Sequence, residues 1–218
     1  MVEPNINVRN QLMINDRFKG MLTDFVSEQW YQNVVKATKD KRSVFNLLDL
    51  DARQVQNPKL IIVGDIFYSM SMNCAALQGF VQELVDEFEF TTDISSADVR
   101  KLLQEGVMIF DISTYKLEDA KNKSYINDCW KMLIKTLITR IIEQNPYVMV
   151  MSLGYNANNM MKDLVTCSVL KNDLLLCTGH PSPKASTSTF RGSMCFKEVN
   201  KRLINSGRLP VRFGIIFT

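Results

Sequence analysis

The chain carries one histidine, His180, in the segment Gly179-His-Pro-Ser-Pro183, where two prolines fix φ and restrict the residues before them. An imidazole held in so stiff a loop can exchange a proton near neutral pH or hydrogen-bond a developing negative charge. A lone histidine is commonly structural, and it is the loop that marks this one as a site residue. Three other stretches place polar or unusual residues at the end of an apolar run: Gly64-Asp65 with Tyr68, Asp111, and Gly154-Tyr155-Asn156. Asp65 and Asp111 are the carboxylates of this set, able to orient water or to accept hydrogen bonds from a ligand. The five cysteines, Cys74, Cys129, Cys167, Cys177 and Cys195, show no metal-ligand spacing and mostly have apolar neighbours. They predict buried thiols in a reducing compartment, with no metal and no other cofactor.

Four apolar runs must bring these groups together. Leu60-Ile-Ile-Val, Val107-Met-Ile-Phe, Tyr147-Val-Met-Val-Met-Ser-Leu and Leu174-Leu-Leu-Cys each end close to a glycine or an aspartate, and each predicts a buried strand. Helical patterns separate them. Phe18, Leu22, Phe25, Val26, Trp30 and Val34 predict one or two helices over 18–38, and Val44 to Leu50 a further short one. Ile126, Trp130, Leu133, Leu137, Ile138 and Ile141 share one face of a helix over 125–144, with Pro146 just beyond it. A last helix starts at Phe196 and is closed by Gly207. The alternation predicts an α/β fold with a central four-stranded, parallel or mostly parallel sheet flanked by helices on both faces. Ligands bind such sheets beyond the carboxyl ends of the strands, where all four polar groups fall.

With 218 residues and 46% hydrophobic content, the chain suits a single domain over 17–218 after a loosely held polar arm over 1–16. There is no secretory signal and no apolar run long enough to span a membrane, which predicts an intracellular protein of nucleus or cytoplasm with no membrane partner. The net charge of +3 hides an asymmetry. Residues 179–218 hold seven Lys or Arg against one acid, a net +6, leaving −3 for the remainder. A basic carboxy-terminal part suits either a phosphate-facing surface or an ordinary solvated helix face.

Gly179-His-Pro-Ser-Pro, then Phe190-Arg-Gly, then a helix ending in glycine before Leu209-Pro-Val, resembles the carboxy-terminal part of family-1 uracil-DNA glycosylases. Matching stretches run in the family's order from about Val44 to Phe213. The resemblance implies that His180 stabilises the departing uracil anion, and that Tyr68 fills the space a thymine methyl would need. It implies that Phe80, beside Gly79, takes the slot of the aromatic that stacks on the flipped base, and that Asp111 takes that of the uracil-reading asparagine. Gly154-Tyr155-Asn-Ala-Asn is similar to the family's Gly-x-x-Ala-Gln turn, which meets phosphates through amides at a helix start. Ser182, Lys184 and Arg191 are implied as further DNA contacts.

The departures are as informative. The family's Gly-Gln-Asp-Pro-Tyr-His reads here Gly64-Asp65-Ile66-Phe67-Tyr68-Ser69, so Ile66 stands where an aspartate positions the attacking water. Asp65 is adjacent, but neighbouring side chains on an extended segment point to opposite sides, so it serves as the catalytic carboxylate only if the backbone turns there. Lys184 replaces the leucine wedge, and no proline lies between Pro4 and Pro58, where the family has a proline-rich phosphate-contacting loop. An ionised Asp111 accepts but does not donate, which suits the cytosine N4 amine better than uracil O4. Alternatively, Asp111-Ile-Ser-Thr caps the segment after it.

The expected function is that of a divergent glycosylase-fold protein that binds single- or double-stranded DNA, a replication protein, or both, with catalysis impaired or lost. The alternative is an active glycosylase that hydrolyses the N-glycosidic bond of uracil or another pyrimidine with altered base preference. A third reading is a decoy for a glycosylase-inhibitor protein. Poxviral members also act as processivity components of a DNA polymerase. The chain is similar to them in length, in Tyr115-Lys-Leu ahead of a long helix, and in its apolar Ile215-Ile-Phe end. That likeness implies a viral polymerase accessory working at a cytoplasmic replication site, with a partner patch near the carboxy terminus.

Overall fold

The four apolar runs form four parallel strands, β1 (Leu60–Gly64), β2 (Val107–Asp111), β3 (Met149–Leu153) and β4 (Leu175–Thr178), in the spatial order β2-β1-β3-β4. The computed structural model describes residues 16–38, 57–65, 75–89, 101–113, 123–182 and 190–213. The arm before Asp16, the helix expected at 44–50, Ile66, Tyr68, Cys74, Tyr115-Lys-Leu, Lys184 and Ile215-Ile-Phe lie outside them. Every residue of β1, β2 and β3 is buried, as a parallel sheet covered on both faces requires. β4 departs from the expected buried strand. It lies at the sheet edge, with Leu176 half-buried and Cys177 exposed. Cys167 is exposed too, so the expectation of buried thiols holds for Cys129 and Cys195 and fails for these two.

Register makes the strands end level. Gly64 is paired with Asp111 on one side and with Leu153 on the other, and Leu153 with Thr178. The chain leaves β1 toward β2 and leaves β3 toward β4, so the order reverses between β1 and β3. That is where a crevice opens in sheets of this kind.

The region 18–38 divides into α1 (Asp16–Met21), a 3-10 turn at Thr23–Phe25, and α2 (Gln29–Thr38). Between β1 and β2 lie α3 (Ala75–Phe88) and the short α4 (Lys101–Gln104). Next, α5 (Lys123–Gln144) returns from β2 to β3 and packs against α2. Its buried stripe of Trp130, Leu133, Ile134, Leu137, Ile138, Ile141 and Ile142 has the spacing of one helix face. The Trp130 indole donates to the Asp111 carbonyl at 2.9 Å, fixing the end of β2 against that face. The fold is completed by α6 (Tyr155–Thr166), between β3 and β4, and by α7 (Cys195–Asn205).

The start of α7 is held from outside. Its N-cap, Met194, sits in the left-handed region with φ 55° and makes no side-chain cap. The first amides of a helix need acceptors, and two buried glutamates one turn apart on α3 supply them. Glu83 accepts from the Gly192 amide at 2.6 Å, the Met194 amide at 3.0 Å and the Ser193 hydroxyl at 3.4 Å. Glu87 accepts from the amides of Phe196 at 3.1 Å and Lys197 at 2.8 Å. Phe80, Phe190, Phe196 and Phe213 pack in mutual ring contact beside this clamp.

The clamp yields two predictions. Glu83→Ala leaves two backbone N–H groups without their carboxylate acceptor and should destabilise the fold by about 3 kcal/mol in urea denaturation. Burial pushes the Glu87 carboxyl above its ordinary range; the Lys197 and Phe196 amides oppose this, and the neighbouring Glu83 adds to it. A raised folded value stabilises below the ordinary carboxylate pKa and loses that contribution as pH climbs through the raised value. Wild type should therefore lose stability relative to Glu87→Gln as pH rises from the ordinary carboxylate pKa through the raised one.

Candidate active site

At the carboxyl edge of the sheet the side chains of neighbouring strands meet. The chain bends at Asp65, directly after β1, and that bend turns its carboxylate to both sides at once. Oδ1 accepts from the Ser113 hydroxyl at 2.8 Å and Oδ2 from the Asn156 side-chain amide at 2.8 Å. Ser113 follows β2, Asn156 is in the first turn of α6 after β3, and β1 lies between them, so one carboxylate bridges three strand ends. Backbone pairing continues beneath it, from Ile112 N to Gly64 O at 2.9 Å and from Ser113 N to Asp65 O at 3.0 Å. Asp65 thus lies at a bend, with its carboxylate bonded on both sides.

His180 follows β4 and is half-buried. Its Nδ1 accepts the Ser182 amide at 3.1 Å, which places the proton of the neutral ring on Nε2. Burial pushes the imidazole below its usual value, and the charge of Asp65 acts in the opposite direction. Two glycines make room for this loop. A Cβ on Gly154, whose φ of 93° already favours glycine, would meet the His180 Cβ and Cδ2 at 3.1 Å. A Cβ on Gly79 would lie 1.9 Å from the Pro181 carbonyl oxygen, so α3 supports the histidine loop by direct backbone contact.

The structure places the other expected site residues as follows. Asp111 is the last residue of β2, 3% exposed, at the same edge as Asp65 and two residues before Ser113. Phe80 is not at a pocket surface. It is fully buried, stacked on Phe190 with centroids 6.2 Å apart and edge-on to Phe196 at 5.0 Å, whereas stacking on a base needs an exposed face. The Gly154 amide donates to the Thr178 carbonyl at 3.1 Å and so serves the fold instead of a phosphate. Tyr155 stands 79% exposed beside it, and Asn158 ties β3 to β4 through Ser152 and the Thr178 carbonyl. Arg191 is exposed, with its guanidinium 3.8 Å from Asp86.

Three carboxy-terminal cations sit at the opposite edge. Arg208 donates to the carbonyls of Tyr147 and Pro58, Arg202 to those of Asp173 and Leu175, and Arg212 binds the Glu105 carboxylate at 2.6 and 2.9 Å. Their partners precede the strands or, for Leu175, begin one, so for these three the phosphate-facing reading is replaced by a structural one.

Sequence reasoning missed Ser113 and Asn156 as partners of Asp65, and Glu83 and Glu87 altogether. Glu83 and Glu87 follow Phe80 on the apolar stripe of α3, an unusual place for acids and the one signal available. With Cys195 they form the one convergence of metal-type ligands among the described residues. It does not suit a cation: backbone N–H groups are aimed at its oxygens, and burial pushes the Cys195 thiol far up, keeping it protonated. No helix among the described residues is long and apolar enough to cross a membrane.

Gly79→Ala should force the Pro181 carbonyl away, destabilise the protein by about 1–3 kcal/mol, and shift the imidazole NMR resonances of its single histidine.

No protein-family model matches the chain. Curated uracil-DNA glycosylases are similar to it over nearly its whole length. That of Amoebophilus asiaticus is 23% identical over 212 residues, covering 91% of this chain and 92% of its own, and that of Borrelia turicatae is 24% identical over 229 residues, covering 93% and 99%. Among solved structures, a mimivirus UNG variant in complex with UGI superposes with a TM-score of 0.68 at 11% identity, covering 95% of this chain and 93% of that one. The full-length likeness to these curated enzymes supports membership of the uracil-DNA glycosylase superfamily, and the mimivirus neighbour shares its fold.

Proposed function

We propose that the protein binds DNA and hydrolyses the N-glycosidic bond of uracil or another pyrimidine slowly, with a rearranged water-activating group. The observation that carries this reading is the state of His180. With Nδ1 occupied by the Ser182 amide, Nε2–H is a donor for negative charge developing on a departing base. In the step, the C1′–N bond breaks and its electron pair leaves with the base, held by that donor. Water bonds to C1′ and gives its proton to the Asp65 carboxylate, whose charge also stabilises the cationic sugar. Ile66 supplies neither function, and a carboxylate displaced by one position accounts for a reduced rate, since misplacement by about 1 Å can cost about 100-fold. Tyr155 and Arg191 offer an aromatic face and a cation to the strand.

A second reading is binding without cleavage, in repair or replication or as a target of an inhibitor protein. It is favoured by the exposed apolar side chains Ile204 and Leu209, 57% and 77% accessible near the carboxy terminus. UGI, which the mimivirus neighbours bind, is a direct probe of it.

Abasic-site formation on single-stranded oligonucleotides with one uracil or one cytosine separates the two. Slow product from wild type, lowered about 100-fold or more in His180→Ala and raised in Ile66→Asp, is the expected result. No wild-type product on either substrate, with oligonucleotide or UGI binding retained, would leave the binding reading.

A further inference from the structure

We propose that Asn156 and Ser113 are positioning residues that hold the Asp65 carboxylate at its working angle beside His180, an inference that rests on the role given to Asp65 above. The argument begins with what each oxygen touches. Oδ1 takes one hydrogen bond from β2's side and Oδ2 one from β3's side, both at 2.8 Å, so the carboxylate plane is set by two points on different segments. Rotation about its terminal bond would break at least one of them. Both donors are uncharged, so they orient the group without neutralising it, as a lysine or arginine partner would. An ionised carboxylate has about four acceptor positions, and two remain for water.

The supports are themselves fixed. Ser113 is locked by its own amide on the Asp65 carbonyl. Asn156 rides on α6 two residues after Gly154, where any Cβ would meet the His180 ring at 3.1 Å. Displacing the start of α6 would therefore disturb the carboxylate and the imidazole together. The bond from Asn156 to Asp65 also crosses the point between β1 and β3 where the strand order reverses, the place a substrate would enter. An asparagine at this position compensates for the isoleucine at 66: it gives the displaced carboxylate a fixed direction that the loop alone would not supply.

The test uses the full chain, in which His180 is the sole histidine and its imidazole titration is read without assignment ambiguity. Asp65→Asn should lower the His180 titration midpoint, because the Asp65 charge raises it. Asn156→Ala should move the midpoint in the same direction by less, and the double variant should go no lower than Asp65→Asn alone. The single-turnover rate of Asn156→Ala should fall about 10- to 100-fold with oligonucleotide affinity unchanged. Ser113→Ala should lower the rate while Ser113→Thr, which keeps the hydroxyl, retains it. Wild-type titration and rate in Asn156→Ala would overturn the proposal, as would an Asn156→Ala effect on the midpoint that adds in full to Asp65→Asn. If wild type forms no abasic product, the glycosylase reading falls by itself, and the titrations alone then decide whether Asn156 positions Asp65.

Discussion

The carboxy-terminal third of the molecule depends on two buried carboxylates finding backbone amides. Glu83 and Glu87 are 0% and 1% exposed, and without the N–H groups of Gly192, Met194, Phe196 and Lys197 their burial would be prohibitive. Conversely, α7 begins at a residue with no side-chain cap, and its positive end needs the negative charge that α3 brings. Each side removes the other's penalty. Because α3 also lies against the Pro181 carbonyl at Gly79, the helix that anchors α7 is the one that backs the histidine loop. The packing of the core and the placing of the imidazole are therefore parts of one arrangement.

The site follows from strand order. A parallel sheet with level strand ends delivers whatever follows each strand to one edge, and the strand order reverses between β1 and β3, the place where sheets of this kind form their crevice. Asp65 stands at this centre, within reach of both neighbours, while His180 arrives from β4 next to β3. This explains how the chain brings a carboxylate, Asp65, to the carboxyl edge of the sheet although Ile66 stands where the resembling family has its aspartate. The strand end is a place that several sequence positions can reach, provided the backbone bends and a partner captures the side chain.

Much of this was legible in the residues. Unbroken apolar runs identified β1 and β2, and the stripe from Trp130 to Ile141 identified α5, because burial imposes those patterns directly. Edge position is not encoded that way: Leu174-Leu-Leu-Cys reads like an inner strand, yet among the described residues β4 pairs with β3 alone, and Cys177 is exposed. Tyr147 reads as the start of β3 but lies before it and is 61% exposed, since an aromatic is compatible with strand and surface alike. The slot of a stacking aromatic pointed to Phe80, and the rings of Phe190 and Phe196, more than a hundred positions away, drew it into the core. Alternation of side chains argued against Asp65, but that rule ends where the strand does. The bend and the two captures by Ser113 and Asn156 are long-range facts that local pattern does not contain.

The opposite edge of the sheet bears on how the protein would respond to ionic strength. Arg202, Arg208 and Arg212 are bonded to carbonyls or to the Glu105 carboxylate there, with Arg212 and Glu105 each favouring the other's charged form. A cation held in this way has no phosphate to neutralise and releases no condensed counterions when DNA binds. The steepness with which affinity falls as salt is added counts only cations that meet the duplex or strand, roughly one unit of slope for each. The excess positive charge of residues 179–218 therefore overstates the electrostatic share of the proposed DNA binding, whose affinity should rest more on shape, stacking and base contacts than the composition of that segment implies.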